Sequence, residues 1–189
     1  MSLLTALLRA LLSAFTSTQQ RKQPTFTRPT RQGRDGSRQP AGDVLVSPGQ
    51  FGDAATVEVD PRSLRAVQLG YAPQRDASPD PGEIVWTWVP YEERDGRGKD
   101  RPVVIVAADG RGGYYAVQLT SKEHDGPDSF EVGRGSWDSS GRVSYVKLDR
   151  VFRVFPEGMR REAASLDKFR YGEIADALRV RYGWSVGAR

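Results

Sequence analysis

Between Glu83 and Phe155 the apolar residues fall into short extended runs, each closed by a glycine-rich or charged turn. Glu83–Val89 alternates, with Ile84, Trp86 and Trp88 on one face and Val85, Thr87 and Val89 on the other, which is the period of a strand. Pro102–Ala107 is continuously apolar, as a central strand covered on both faces requires. Tyr114–Leu119, Phe130–Val132, Ser144–Leu148 and Val151–Phe155 follow, parted by turns at Gly110–Gly113, Gly133–Gly135 and Gly141. Short strands at close spacing with no helices between them predict a small barrel or half-open sheet. Past this region the period lengthens. Leu166, Phe169, Ile174, Leu178 and Tyr182 share one helical stripe along Asp167–Tyr182, and Gly172 marks a turn or break near its start.

The rest of the chain reads differently. Leu3, Leu4, Leu7, Leu8, Leu11, Leu12 and Phe15 recur at helical spacing, so residues 1–15 form an amphipathic helix. It is shorter than the ~20 apolar residues of a membrane span and is interrupted by Arg9. A secretory leader would carry its positive charge before the apolar run, whereas the first charge here is Arg9. Three readings stand: the helix packs on the domain or on another copy of itself, it lies in a membrane surface, or it stays unfolded. Residues 16–42 are polar, basic and interrupted by Pro24, Pro29 and Pro40, a disordered linker by composition. Residues 43–80 hold the extended runs Val44–Val46, Thr56–Val59 and Val67–Tyr71, pieces that drape over a domain or add a strand to it. The compact domain then spans residues 81–184.

Charge is unevenly placed. Residues 1–42 carry seven basic residues against Asp35, a net +6, and the remainder, with 21 basic against 23 acidic residues, is at −2. A domain of that balance attracts phosphate only through a local groove, not through its whole field. The chain has no cysteine and a single histidine, His124, which excludes disulfides and thiolate chemistry and disfavours a zinc enzyme or a Ser-His-Asp hydrolase. No metal or other cofactor is expected.

One constellation joins these strands to chemistry. The first begins Gly82-Glu83-Ile84-Val85-Trp86; a charged loop leads to Lys99-Asp100-Arg101-Pro102-Val103-Val104; the next strand ends Val117-Gln118-Leu119-Thr120-Ser121-Lys122. This arrangement resembles the MazF/PemK family of ribonuclease toxins over about residues 81–184. The resemblance implies a mainly β fold, a small SH3-like barrel with a C-terminal helix. It also implies a cytoplasmic, metal-independent endoribonuclease that inhibits growth, forms homodimers and is restrained by a partner antitoxin. DNA binding enters as a further association of such modules.

Metal-free RNA cleavage needs a base for the ribose 2′-hydroxyl, an acid for the departing 5′-oxygen and cations around the phosphorus. The resemblance assigns Arg101 to the phosphate, where a guanidinium forks onto two oxygens, and Thr120 or Ser121 to the hydroxyl pair. Arginine is too weak an acid to serve readily as the base, so Glu93, Glu92 and His124 are the candidate proton acceptors. Arg97, Lys99, Lys122 and His124 are the RNA-binding candidates, and Trp137 is a candidate for stacking on a base. The loop from Tyr91 to Asp100 reads as a flap over the RNA. Asp100 departs from the family's commoner residue and is placed to pair with Arg101 and blunt it. The alternative reading is a non-catalytic MazF-like interaction module, tethered to a membrane surface through residues 1–15.

Overall fold

A computed structural model describes residues 46–74 and 76–187. The amphipathic helix over 1–15, the linker over 16–42 and the first part of the Val44–Val46 run lie outside the described residues.

The strands are β1 (Val57–Val59), β2 (Gln68–Leu69), β3 (Glu83–Pro90), β4 (Gly98–Ala108), β5 (Tyr114–Thr120), β6 (Ser129–Gly133), β7 (Ser144–Val154), β8 (Arg160–Ser165) and β9 (Ser185–Val186), with helix α1 (Lys168–Tyr182) between the last two. Seven of them form one antiparallel sheet in the order β1-β7-β5-β4-β3-β8, with β6 also on β7. The short β2 and β9 pair in parallel.

Alternation along the strands builds two cores. Ile84, Val104, Val106, Val117, Leu119, Val146 and Leu148 face α1, meeting Tyr171, Ile174 and Leu178. Val85, Val89, Val103, Ile105, Ala116, Phe152 and Val154 face the other way, around Met159. Each such aliphatic side chain fully buried contributes about 1.5–3 kcal/mol, so both faces hold the sheet. From Val103 to Val106 β4 alternates between the two cores residue by residue, and past the bulge in its pairing with β5 Ala107 joins the core on the helix side, which is why its sequence shows an unbroken apolar run.

Helix α1 runs uninterrupted through Gly172. Asp167 caps its start by accepting from the Arg170 amide at 3.0 Å, and Gly183 ends it at φ +73°. The buried stripe is Tyr171, Ile174, Ala175 and Leu178, whereas Phe169 is 75% exposed. Of the predicted stripe, Leu166, Ile174 and Leu178 are buried and Tyr182 packs against the core, whereas Phe169 points outward and Tyr171 takes its place. Tyr171 donates its hydroxyl to the Val106 carbonyl at 2.8 Å, and burial pushes that phenol well above its ordinary range.

The sheet does not close into the expected SH3-like barrel. β8 pairs only with the Glu83–Trp86 half of β3. Beyond it the Trp88 amide donates instead to the Pro48 carbonyl at 2.9 Å. There a relay runs from the Thr56 hydroxyl to Thr87 at 2.7 Å, and from Thr87 to the Gly158 carbonyl at 2.6 Å. Gly49 sits against it at φ +78°, where a Cβ would collide with the Thr87 hydroxyl. The seam that would zip a barrel shut is thus filled by the 47–56 turn and by a 3-10 turn at Pro156–Gly158.

Candidate active site

β4 begins at Gly98, before its partner β5 can reach it. Its register with β5 starts at Val103 opposite Gln118, so Lys99–Arg101 pair only with β3. Pro102 at the parting point has no amide proton for a second neighbour. On the facing side, Thr120 pairs only with Tyr145 of β7. The two strands are antiparallel, and their parted ends leave a cleft of about 500 Å³. It is lined by Lys99, Arg101, Gln118, Thr120, Ser121, Lys122, His124, Lys147 and Arg150, with Pro90–Glu93 at its rim.

Arg101 is half-buried and makes no ion pair within 4 Å among the described residues. The Thr120 hydroxyl oxygen accepts the Lys122 amide at 3.1 Å. That bond uses one of its lone pairs and leaves the hydroxyl proton to donate elsewhere. Asp100 does not pair with Arg101. Neighbouring residues on a strand point to opposite faces, and Asp100 Oδ2 instead accepts both terminal nitrogens of Arg160 at 3.1 Å. Arg160 in turn stands 5.5 Å over the Trp86 ring.

β7 supplies the wall the sequence did not reveal. The Ser144–Leu148 and Val151–Phe155 runs are one strand with a bulge: Val117 faces Val151, but the next residue, Gln118, faces Lys147. Bulges redirect side chains beside functional sites, and this one accompanies Lys147 and Arg150 into the lining of the cleft. Lys147 Nζ lies 3.1 Å from Glu92 Oε1 and 3.5 Å from Asp149. Arg150 Nη2 donates to Glu58 at 2.6 Å and to the Pro90 carbonyl at 2.9 Å. The Lys147 ammonium holds the Glu92 carboxyl below the usual carboxylate range, and Arg150 does the same to Glu58 against the opposing effect of burial.

Two sequence candidates are not at the cleft. Arg97 is exposed and closes on Asp95 at 2.6 Å within the turn, which is fastened by the Tyr91 amide on the Arg97 carbonyl. Residues 98–100 belong to β4, so the loop is a short closed turn over 91–97. Trp137 is only 4% exposed and donates its indole N–H to Ser144 at 2.9 Å, so its ring packs in the core and offers no face to a base. Glu93 and His124 do line the cleft. A second cleft of about 380 Å³ at the β8 edge holds Arg161, but Glu83 neutralises that cation at 2.7 Å. Among the described residues no group of three or more His, Asp or Glu is placed to hold a metal ion.

A mainly β domain with an open sheet, one C-terminal helix and a cationic cleft between parted strands is the class these features define. Residues 80–181, more than half of the chain, match the family of PemK-like, MazF-like toxins of type II toxin-antitoxin systems, and the chain belongs to that family. Similar solved structures include an endoribonuclease in complex with its cognate antitoxin from a Mycobacterial species, at 19% identity over 56% of this chain and 96% of that one, with a TM-score of 0.44. MazF from Deinococcus radiodurans is similar at 21% identity over 56% of this chain and 96% of that one, with a TM-score of 0.42. Its complex with MazE is similar at 21% identity over 57% and 97%, also at 0.42. No curated protein matches the chain in sequence.

Proposed function

We propose that the domain is a metal-independent endoribonuclease whose reacting phosphate sits in the cleft between Arg101 and Thr120. The observation that carries this reading is Arg101, a cation without a carboxylate partner among the described residues, in one cleft with a threonine whose hydroxyl proton remains available. In the proposed reaction the ribose 2′-oxygen attacks the adjacent phosphorus, forming one P–O bond as the bond to the 5′-oxygen breaks. The products are a 2′,3′-cyclic phosphate and a 5′-hydroxyl, the departing 5′-oxygen taking its proton from water. Arg101 stabilises the charge that grows on the phosphorane oxygens, where a charged fork is worth roughly twice a neutral hydrogen bond. Thr120 donates to the same phosphate, and Ser121 beside it is the alternative hydroxyl. Glu93 accepts the 2′ proton, with His124 the replacement should Glu93→Gln retain activity. Lys99 and Lys122 hold flanking phosphates.

A toxin of this family acts within a two-component system, so we assign the chain a protein antitoxin as partner and a homodimer as its working form, both in the cytoplasm. The DNA-binding and membrane associations have no observation behind them among the described residues, where no helix is long and apolar enough to cross a membrane. The test is incubation of the full chain with a long mixed-sequence RNA, with and without chelator. Cleavage unaffected by chelator, with cyclic phosphate ends, is the expected result. A chain that cuts no RNA at any salt concentration would shift the reading to a non-catalytic interaction module.

A further inference from the structure

The cleft is buttressed from outside the family's span. Glu58 lies in β1, before the matched residues 80–181 begin. Its carboxylate accepts Arg150 at 2.6 Å and stands 3.5 Å from Arg94, in the middle of the 91–97 turn. Arg150 carries the link to the turn's base through the Pro90 carbonyl at 2.9 Å. The Arg150 side chain is only 8% exposed, and its Nε is buried without a hydrogen-bond partner among the described residues. A guanidinium that far from water stays only where a carboxylate faces it. β1 otherwise adds little to the core: it is three residues long, and Val57 is half exposed.

We propose that Glu58 is a positioning residue, a clamp from the amino-terminal extension that fixes Arg150 and the 91–97 turn so that the turn's Glu93 faces the Arg101–Thr120 slot. One carboxylate holds the turn at two points, directly at Arg94 and through Arg150 at Pro90. The clamp itself stands on geometry; its effect on catalysis rests on the ribonuclease reading above.

The experiment compares the full chain with Glu58→Gln and Glu58→Asp by amide hydrogen exchange and by cleavage of a model RNA. In Glu58→Gln the Tyr91 and Arg94 amides should exchange on the order of tenfold faster, as expected of local opening. The thermal midpoint should fall, because Arg150 is left buried without its counter-charge, and the amides of β4 and β5, which exchange through global opening, should speed up only by the factor that this fall sets. kcat should fall on the order of tenfold. KM should not rise, because Arg150 without its counter-charge attracts phosphate more strongly. Glu58→Asp keeps the charge and should recover part of both effects. Unchanged turn exchange would overturn the clamp. A lower midpoint with faster exchange in β3–β5 but not in the 91–97 turn would show a purely structural ion pair. Faster turn exchange with unchanged kcat would overturn the positioning role. Should Glu58→Gln fail to fold, Arg94→Gln removes the direct contact from an exposed side chain and is judged by the same outcomes. If the wild type cuts no RNA, the exchange measurements still decide the clamp, and the cleavage reading falls separately.

Discussion

On the β4–β5 wall of the cleft, Lys99, Arg101 and Lys122 have no ion-pair partner among the described residues, while on the β7 wall Lys147 lies 3.1 Å from Glu92 and Arg150 2.6 Å from Glu58. In the proposed reaction the same kinds of side chain serve two purposes within one cavity. An uncommitted cation can strengthen its contacts as charge develops on a bound phosphate, because it has no carboxylate to leave. A committed cation has satisfied its charge in the ground state and holds the wall in place. Under that proposal a catalytic arginine is distinguished from a structural one by its lack of a carboxylate partner, not by its proximity to the cleft.

The sharpest way to break this comparison is to remove the uncommitted arginine. Arg101→Ala should lower kcat by about 10²–10³, the usual effect of deleting one donor to a developing oxyanion. Its folding stability should stay within ~0.5 kcal/mol of wild type, as for other substitutions that touch no packed partner. Arg101→Lys should fall between the two, since it keeps the charge and loses the fork. Single-turnover cleavage and a thermal melt on the same samples check both halves.

Arg150→Ala should show the opposite balance. It leaves the largely buried Glu58 facing only the exposed Arg94 at 3.5 Å, which should cost about 2–3 kcal/mol, below the ~3–5 of a fully buried pair because Glu58 keeps that second cation and some contact with water. Urea denaturation reads this directly. A loss of activity with unchanged stability would show that Arg150 also works on the phosphate.

The sequence reading reached the uncommitted wall and missed the other for physical reasons. Arg101 and Thr120 were singled out by the family resemblance, and the antiparallel pairing of the consecutive strands β4 and β5 brings their strand ends to one cleft. Lys147 and Arg150 were hidden by the bulge that joins two apparent strands into β7. Arg150's partner Glu58 is distant in sequence and joins it only through the pairing of β1 with β7. β8 was missed because Arg-Arg-Glu-Ala-Ala-Ser carries no strand pattern; β3's open edge, not propensity, makes it a strand. The barrel expectation failed at the 47–56 turn, whose threonine and glycine contacts have no periodicity to read. Trp137, in a polar glycine-rich stretch, is core because Ser144 accepts its indole proton.

Thr120→Ala tests the uncommitted wall more gently. The substitution removes one neutral hydrogen bond, worth about 1 kcal/mol, so kcat should fall roughly five- to tenfold. The Lys122 amide would also lose its acceptor, but at an exposed position where water replaces it. An effect as large as that of Arg101→Ala would make the hydroxyl a proton donor to the leaving oxygen and not merely a phosphate ligand.

The smallest effect belongs to Glu92 and Lys147. Lys147 holds the Glu92 carboxyl below its usual range, so the folded value lies beneath the unfolded one of about 4.3. The pair's contribution is therefore fully present above the unfolded value and is lost as pH falls through the folded one. Glu92 is 63% exposed, and water screens the interaction to less than about 1 kcal/mol. Glu92→Gln should thus lower stability by a few tenths of a kcal/mol at neutral pH, with the difference vanishing in acid and shrinking in high salt. A carboxylate with a depressed pKa is also a poor base near neutrality. Glu92→Gln should accordingly leave the pH–rate profile in place, whereas Glu93→Gln should lower kcat strongly. If Glu92→Gln abolished cleavage at unchanged KM, the β7 wall would have to be counted among the reacting groups, and the division between the two walls would fail.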